Sequence, residues 1–306
     1  LGLTKKQISR AKFRLNGICK NSIQCRVTEK VSCGDKIQIC LETEETQSIH
    51  LISDEKAGEK LDILYEDEDV LAVNKPAGVL THPSGMHYSD SLSNQVMAYF
   101  RKKGLSICIR PVGRLDKETS GIVLFAKNQV AAQRLQEQRE KEILKKQYLA
   151  LVKGAFPVDQ ATEWHTIEFP IRKAGEHPLR METVKDNESL KVDSTVIRQR
   201  VEFTNCLRAV THYQVLYSSA EWSAVSLKLD TGRTHQIRVH MQALGHPLLG
   251  DSLYGTSTER EEQCPIYRAA LHAENVTFRQ PFSQEMITLE APFPDDFCHL
   301  LGDITF

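Results

Sequence analysis

Asp116 stands in the stretch GRLDKETSG, between Arg114 and a Thr-Ser-Gly turn, just ahead of the apolar run IVLFA. A carboxylate in that place could act as nucleophile or general base. It could equally be a turn residue, because Asp readily bonds its own backbone in tight turns. Two later stretches bear on the choice. Tyr148 lies in KKQYLALVKG; a Tyr on a strand is ordinarily core, but in an open cleft its face can stack on a nucleobase. LDTGRTHQIRVHMQALGHPLLGDSLYG then sets Arg233, His235, Gln236, Arg238 and His240 within eight residues, interleaved with Ile237, Val239 and Met241. The apolar members should face the core, and a buried Arg needs a carboxylate. Asp116 is the expected partner of Arg238, a pairing that would keep the acid ionised. The start of the helix here exposes N–H groups suited to phosphate. His235 and His240 are five apart, so a helix would not bring them together on a metal.

The elements that must position these residues are legible in outline. The Thr-Ser-Gly turn feeds a strand that has to be buried, so Asp116 sits on a loop at the end of a rigid strand. LDILYEDEDVLAVNK reads as two strands joined by an acidic turn. SDSLSNQVMAYFRKKG reads as a capped amphipathic helix closed by Gly104, NQVAAQRLQEQREKE as a second helix, and KKQYLALVKG as a strand. The segment 155–228 alternates β-type stretches with charged loops. RTHQIRVHMQALG is helical with Gly245 as its stop, and LHAENVTF and MITLEAPFP give final strands. Strands and helices mix without βαβ alternation, so the fold class is α+β with a mostly antiparallel sheet.

The bulk composition excludes several alternatives. The 306 residues are 41% hydrophobic and 26% charged, with no apolar run of membrane-spanning length and no signal-peptide core at the start. A cytoplasmic protein with no membrane partner is expected. The eight cysteines (19, 25, 33, 40, 108, 206, 264 and 298) form no CxxC, so reduced thiols are expected and a zinc site is not. The net charge of −1 hides an asymmetry. Residues 1–40 carry nine Lys/Arg against two acids, while residues 41–69 carry eleven acids against two lysines. A basic unit with an acidic connector fits a nucleic-acid-binding arm, or simply a solvated basic face. Lys5, Arg10, Lys12 and Arg14 are the candidate contacts of that arm.

The motifs NKPAGVLTHP, GRLDKETSGIVLFAK, KKQYLALVKG, LDTGRTHQIRVHMQALGHPLLGDSLYG and LHAENVTF follow one another over Leu61 to Phe297. In this order the chain resembles the RluA-type pseudouridine synthases. The N-terminal residues, with LNGI and GDKIQI, resemble the small αL RNA-binding module of a ribosomal protein, although its second turn reads Asn21-Ser22 where Asn-Gly is the pattern. The resemblance implies a pseudouridine synthase fold with a mixed, mostly antiparallel central sheet, divided as 1–45 αL-type module, 46–60 acidic linker and 61–306 catalytic domain. It implies Asp116 as the nucleophile, Tyr148 stacked on the target base, and Arg238 paired with the Asp. Arg114 would enter the RNA stack, and Arg233 and His235 would meet RNA near the flipped base. Gly113 departs from the family, where many members carry His, and the basic segment between Met181 and Tyr213 is longer than the pattern.

The implied substrate is a uridine in ribosomal RNA, most of all that of the large subunit, or in transfer RNA. The implied enzyme is a monomer without cofactor or metal. Isomerisation exchanges a C–N for a C–C glycosidic bond with no net redox change, and the target base must be flipped out. Whether the Asp attacks covalently or removes a sugar proton stays open at this stage. Two rival readings are a non-catalytic RNA-binding factor and an Asp-dependent hydrolase. The second would need another carboxylate across the bond, and none accompanies the motifs.

Overall fold

The computed structural model describes residues 8–9, 11–12, 16–40, 61–84, 90–105, 107–156, 163–175, 179–184, 206–255, 266–302 and 304. The N-terminal strands β1 (Ile18–Lys20), β2 (Ile23–Gln24) and β3 (Ile37–Ile39) form their own three-stranded antiparallel sheet, with β1 in the middle. Asn21 and Ser22, which join β1 to β2, both take positive φ, at 50° and 69°. These are the dihedral signs of the type I′ hairpin turn, so Ser22 occupies a position that Gly would hold without strain. Asn21 is pinned there: its side chain accepts from the N–H of Lys36 and donates to Asp35.

The remaining strands are β4 (Ile63–Glu66), β5 (Val70–Lys75), β6 (Arg110–Pro111), β7 (Ser120–Ala126), β8 (Lys145–Lys153), β9 (His165–Ile167), β10 (Ile171–Lys173), β11 (Met181–Thr183), β12 (Thr211–Ser218), β13 (Trp222–Leu229), β14 (Leu271–Arg279) and β15 (Met286–Glu290). All except β10 and β11, which pair with each other, join one ten-stranded sheet. Its order is β4-β5-β7-β14-β8-β13-β12-β9, with β15 on β14 and β6 on β7. Only the β7–β14 pair is parallel. That pairing brings the backbones so close that a Cβ on Gly121 would lie 2.3 Å from the carbonyl oxygen of Ala273, and Gly121 has φ +106°. The glycine of the Thr-Ser-Gly turn is therefore a packing requirement of the sheet centre as well as a turn residue.

Four helices complete the described chain: α1 (Leu92–Lys102), α2 (Gln129–Glu140), α3 (Gln236–Ala243) and α4 (Asp295–Leu301). Helix α1 starts with a reciprocal Ser91–Asn94 capping box, and α2 starts with the Asn128 side chain accepting from the N–H of Ala131. Val123 and Phe125 of β7 share one core with Leu92, Val96 and Phe100 of α1 and Ile237 and Met241 of α3. Ile122 and Leu124 share the opposite core with Ala131 and Leu135 of α2. A strand covered on both faces must be apolar at every position, which accounts for the unbroken run IVLFA. The final strands expected in LHAENVTF and MITLEAPFP form as β14 and β15, and α4, which the sequence reading did not place, follows them. It is a seven-residue helix, too short for a clear 3.6-residue period, and it seals a third core through Phe297 and Leu301.

Candidate active site

The loop from Gly113 to Thr119 is held on both flanks. The Thr81 hydroxyl donates to the carbonyl of Leu115 at 2.9 Å and accepts from its N–H at 3.1 Å. The ammonium of Lys75, completely buried, donates to the carbonyls of Pro76, Val79 and Lys117 at 2.7 to 3.1 Å. Gly78 N–H also reaches the Lys117 carbonyl, at 2.8 Å. From the other side Arg268 donates to the Glu118 carbonyl at 3.1 Å, and the Glu118 carboxylate accepts from Ala269 N–H at 3.1 Å. Arg268 is itself gripped by both oxygens of Asp296 in α4, at 2.6 and 3.0 Å. Asp116 thus projects from a loop whose neighbours are tied to two separate segments, 75–81 and 268–269. Burial pulls the pKa of Lys75 down to about 7, against the opposing charge of Asp116.

Asp116 lines a cleft of about 570 Å³ together with Arg114, Tyr148, Arg233, His235, Ile237 and Arg238. Among the described residues its carboxylate has no hydrogen-bonding or ion-pairing partner, and it is half-buried. Tyr148, on β8, is buried against the cleft floor. Burial and the charge of Asp116 push its phenol up to about 12, Arg139 acting in the opposite sense, so it is neutral at physiological pH. Strand β14 lies between the strand that follows Asp116 and the strand that carries Tyr148, so it sets their spacing.

The expected ion pair between Arg238 and Asp116 is not what forms. Arg238 donates to both oxygens of Asp251, from Nε at 2.7 Å and Nη2 at 2.6 Å, and both residues are buried. Asp251 also accepts from the N–H groups of Leu253 and Tyr254, at 3.0 Å each. Burial opposes the charge of Arg238, but the bonds to Asp251 outweigh it and raise its pKa; Asp116 adds to that only as a nearby charge. The rule that a buried Arg needs a carboxylate was sound, and the carboxylate it needs is thirteen residues along its own chain.

The remaining expected residues separate. Arg114 is exposed at the rim and donates to the Thr234 hydroxyl at 2.6 Å. Arg233 is exposed, with Nε donating to the Arg208 carbonyl at 3.0 Å. His235 is the N-cap of α3 in a left-handed conformation, φ +55°, and its Nδ1 shares a hydrogen bond of 3.0 Å with the Tyr254 hydroxyl. Burial lowers its pKa while the charge of Asp116 resists. Such a backbone is uncommon for His and is characteristic of sites under geometric demand. In α3 every residue from Gln236 to Met241 is buried, so the interleaved polar groups are enclosed as well as the apolar ones; His240, for instance, bonds Thr211 and the Phe169 carbonyl. Gly113 has φ +80°, and the Arg139 guanidinium lies beside it. Lys12 is exposed on the N-terminal unit. Lys5, Arg10, Arg14 and 185–205, the greater part of the long basic segment, lie outside the described residues.

Sequence reasoning missed Lys75, Thr81, Asp251 and Arg268 as parts of this site. The signals were present: Lys75 and Thr81 sit in NKPAGVLTHP, and Asp251 sits in LLGDSLYG. Among the described residues no group of three or more His, Cys, Asp and Glu could hold a metal ion, and no helix is long and apolar enough to cross a membrane.

A ten-stranded mixed sheet brings an Asp, a Tyr and several Arg to one cleft, and known proteins match this chain. Residues 69–243 match the family described as RNA pseudouridylate synthase. The chain is 36% identical over 301 residues to YjbO of Bacillus subtilis, an uncharacterised RNA pseudouridine synthase, with 98% of this chain and 95% of that protein covered. It is 34% identical over 281 residues to ribosomal large subunit pseudouridine synthase D of Neisseria meningitidis serogroup A, covering 90% and 68%. Among solved structures, human RNA pseudouridylate synthase domain containing 4 superposes with a TM-score of 0.60 at 25% identity, covering 78% of this chain and 91% of that one. Domain containing 1 superposes at 0.57 with 29% identity, covering 77% and 84%. The chain belongs to the RNA pseudouridine synthase family, and its enzymatic class is therefore that of an isomerase.

Proposed function

We propose that this enzyme isomerises uridines of large-subunit ribosomal RNA and that Asp116 is its nucleophile. The observation that carries the assignment is the Asp116 carboxylate, unpartnered among the described residues, on a firmly anchored loop beside the buried ring of Tyr148. The relative that carries a ribosomal large-subunit name supports the substrate class. A flipped uracil entering the cleft would meet and stack on the Tyr148 face, and its C5 proton would leave to solvent. Asp116 would act at the sugar or the base while the N1–C1′ bond breaks and the C5–C1′ bond forms. The C5 proton leaves as N1 gains one, so the product is an isomer.

Arg238, clamped by Asp251, holds its guanidinium in a fixed place in the cleft that Asp116 also lines. Arg114 enters the RNA stack in place of the flipped base, and Arg233 and His235 contact the flanking strand. Residues 1–45 act as an αL-type module, joined by the linker 46–60 to the catalytic domain 61–306. Lys5, Arg10, Lys12 and Arg14 of that module add salt-sensitive affinity for the RNA backbone. The enzyme acts as a cytoplasmic monomer.

The test uses ribosomal and transfer RNA transcripts carrying tritium at uracil C5. Wild-type protein should release tritium from large-subunit ribosomal RNA with the strand intact. Asp116→Asn should release none while still binding the transcript. Turnover by Asp116→Asn would refute the nucleophile assignment, and release from transfer RNA alone would refute the substrate.

A further inference from the structure

Arg139 stands in the last turn of α2 and lines the same cleft as Asp116. Its guanidinium fills a notch made by two glycines from different segments. The ideal Cβ position of Gly113 is 3.6 Å from its Cζ and Nη1, and that of Gly232 is 3.6 Å from its Nη2. Any longer side chain at either position would take up this space. The one side-chain acceptor it meets among the described residues is Gln136, whose Oε1 receives a bond from Nη1 at 3.2 Å. Glu140 also lines the cleft, but its carboxylate accepts from the Gln136 amide at 3.1 Å and makes no ion pair with Arg139. The field of this cation reaches Lys146 and Tyr148 behind it and lowers the pKa of each relative to burial alone. Arg238 is neutralised by a buried partner. Arg139 instead keeps most of its five N–H donors and its whole charge for something outside the protein.

A guanidinium without a carboxylate, backed by bare peptide and open to a cleft, matches a phosphodiester: planar, bidentate and charge-assisted. The function proposed above, on which this inference rests, brings an RNA strand through that cleft. We propose that Arg139 binds a backbone phosphate of the substrate strand next to the flipped uridine, with its guanidinium lying over Gly113 and Gly232.

A bland alternative is that Arg139 only complements the negative end of α2. The two roles separate in Arg139→Gln and Arg139→Lys. With in vitro transcribed, tritium-labelled large-subunit ribosomal RNA, Arg139→Gln should raise KM about tenfold and lower kcat less than twofold. The slope of log kcat/KM against log salt between 50 and 200 mM should become shallower by roughly 0.7 to 0.9, the signature of one lost phosphate contact. Arg139→Lys should restore the slope and part of the KM. An unchanged KM and slope, or a lower melting temperature with neither, would overturn the proposal. Filter binding of the same RNA is run in parallel in an Asp116→Asn background, with and without Arg139→Gln. If the wild type releases no tritium, the catalytic reading fails by itself, and a weakened, less salt-dependent binding on loss of Arg139 still decides the subsite.

Discussion

Asp251→Ala separates the two possible partners of Arg238. The substitution removes four acceptor interactions, two from the Arg238 guanidinium at 2.7 and 2.6 Å and two from backbone N–H groups at 3.0 Å. What remains is a buried guanidinium with no counter-charge, and breaking a buried pair from one side costs about 3–5 kcal/mol. Asp116→Ala removes a carboxylate that accepts nothing among the described residues, so its cost should stay within about 0.5 kcal/mol. Urea unfolding followed through the fluorescence of Trp164 and Trp222 measures both. With an m value of about 3 kcal/mol/M, Asp251→Ala should move the midpoint down by roughly 1 to 1.7 M, and Asp116→Ala should hardly move it. Replacing both members of the pair, Arg238→Leu with Asp251→Leu, should cost less than Asp251→Ala alone, because no stranded charge is left. Equal midpoint shifts for Asp251→Ala and Asp116→Ala would mean that Arg238 depends on Asp116 after all, and the reasoning would fall.

Three further outcomes are expected. Gly121→Ala forces a Cβ to 2.3 Å from the Ala273 carbonyl, so it should prevent the β7–β14 pairing and leave little soluble folded protein; a wild-type circular dichroism spectrum and melting temperature would contradict this. His240 and His272 are buried neutral, with pKa values drawn by burial from 6.5 to about 4. The unfolded chain binds their protons first, so their contribution is complete above pH 6.5 and is lost as pH falls through 4, on the order of 3 kcal/mol for each. The slope of stability against pH in that window should flatten in His240→Gln, and an unaltered slope would disprove it. Tyr148→Phe should keep RNA affinity, whereas Tyr148→Leu should lose about 1–3 kcal/mol of base stacking, read as a rise in KM; equal KM values for the two variants would exclude stacking.

Much of the fold was legible because its signals are local. The Ser91 and Asn128 caps, the Gly104 and Gly245 stops and the doubly covered run IVLFA each announce their element within a few residues. Asp116, Tyr148, Arg238 and Arg114, drawn from separate motifs, do line one cleft. The wiring of that cleft was not legible. Which carboxylate meets Arg238, or which loop receives the Lys75 ammonium, depends on contacts between segments far apart in sequence, and charge type alone leaves several partners open. Helix α4 escaped for a related reason: seven residues carry too little periodicity, and its ion pair with Arg268 is visible only once the chain has closed on itself.

Strand β14 has a consequence for how the enzyme comes into being. Residues 271–279 form the rail between the half-sheet that follows Asp116 and the half-sheet that bears Tyr148. During synthesis the chain through α3 can arrange its hairpins, yet the two halves have no edge in common until β14 emerges from the ribosome. The segments that carry Asp116 and Tyr148 are therefore joined through the sheet only once residues 271–279 are in place. Loss of this one strand would separate Asp116 from Tyr148 without altering either residue.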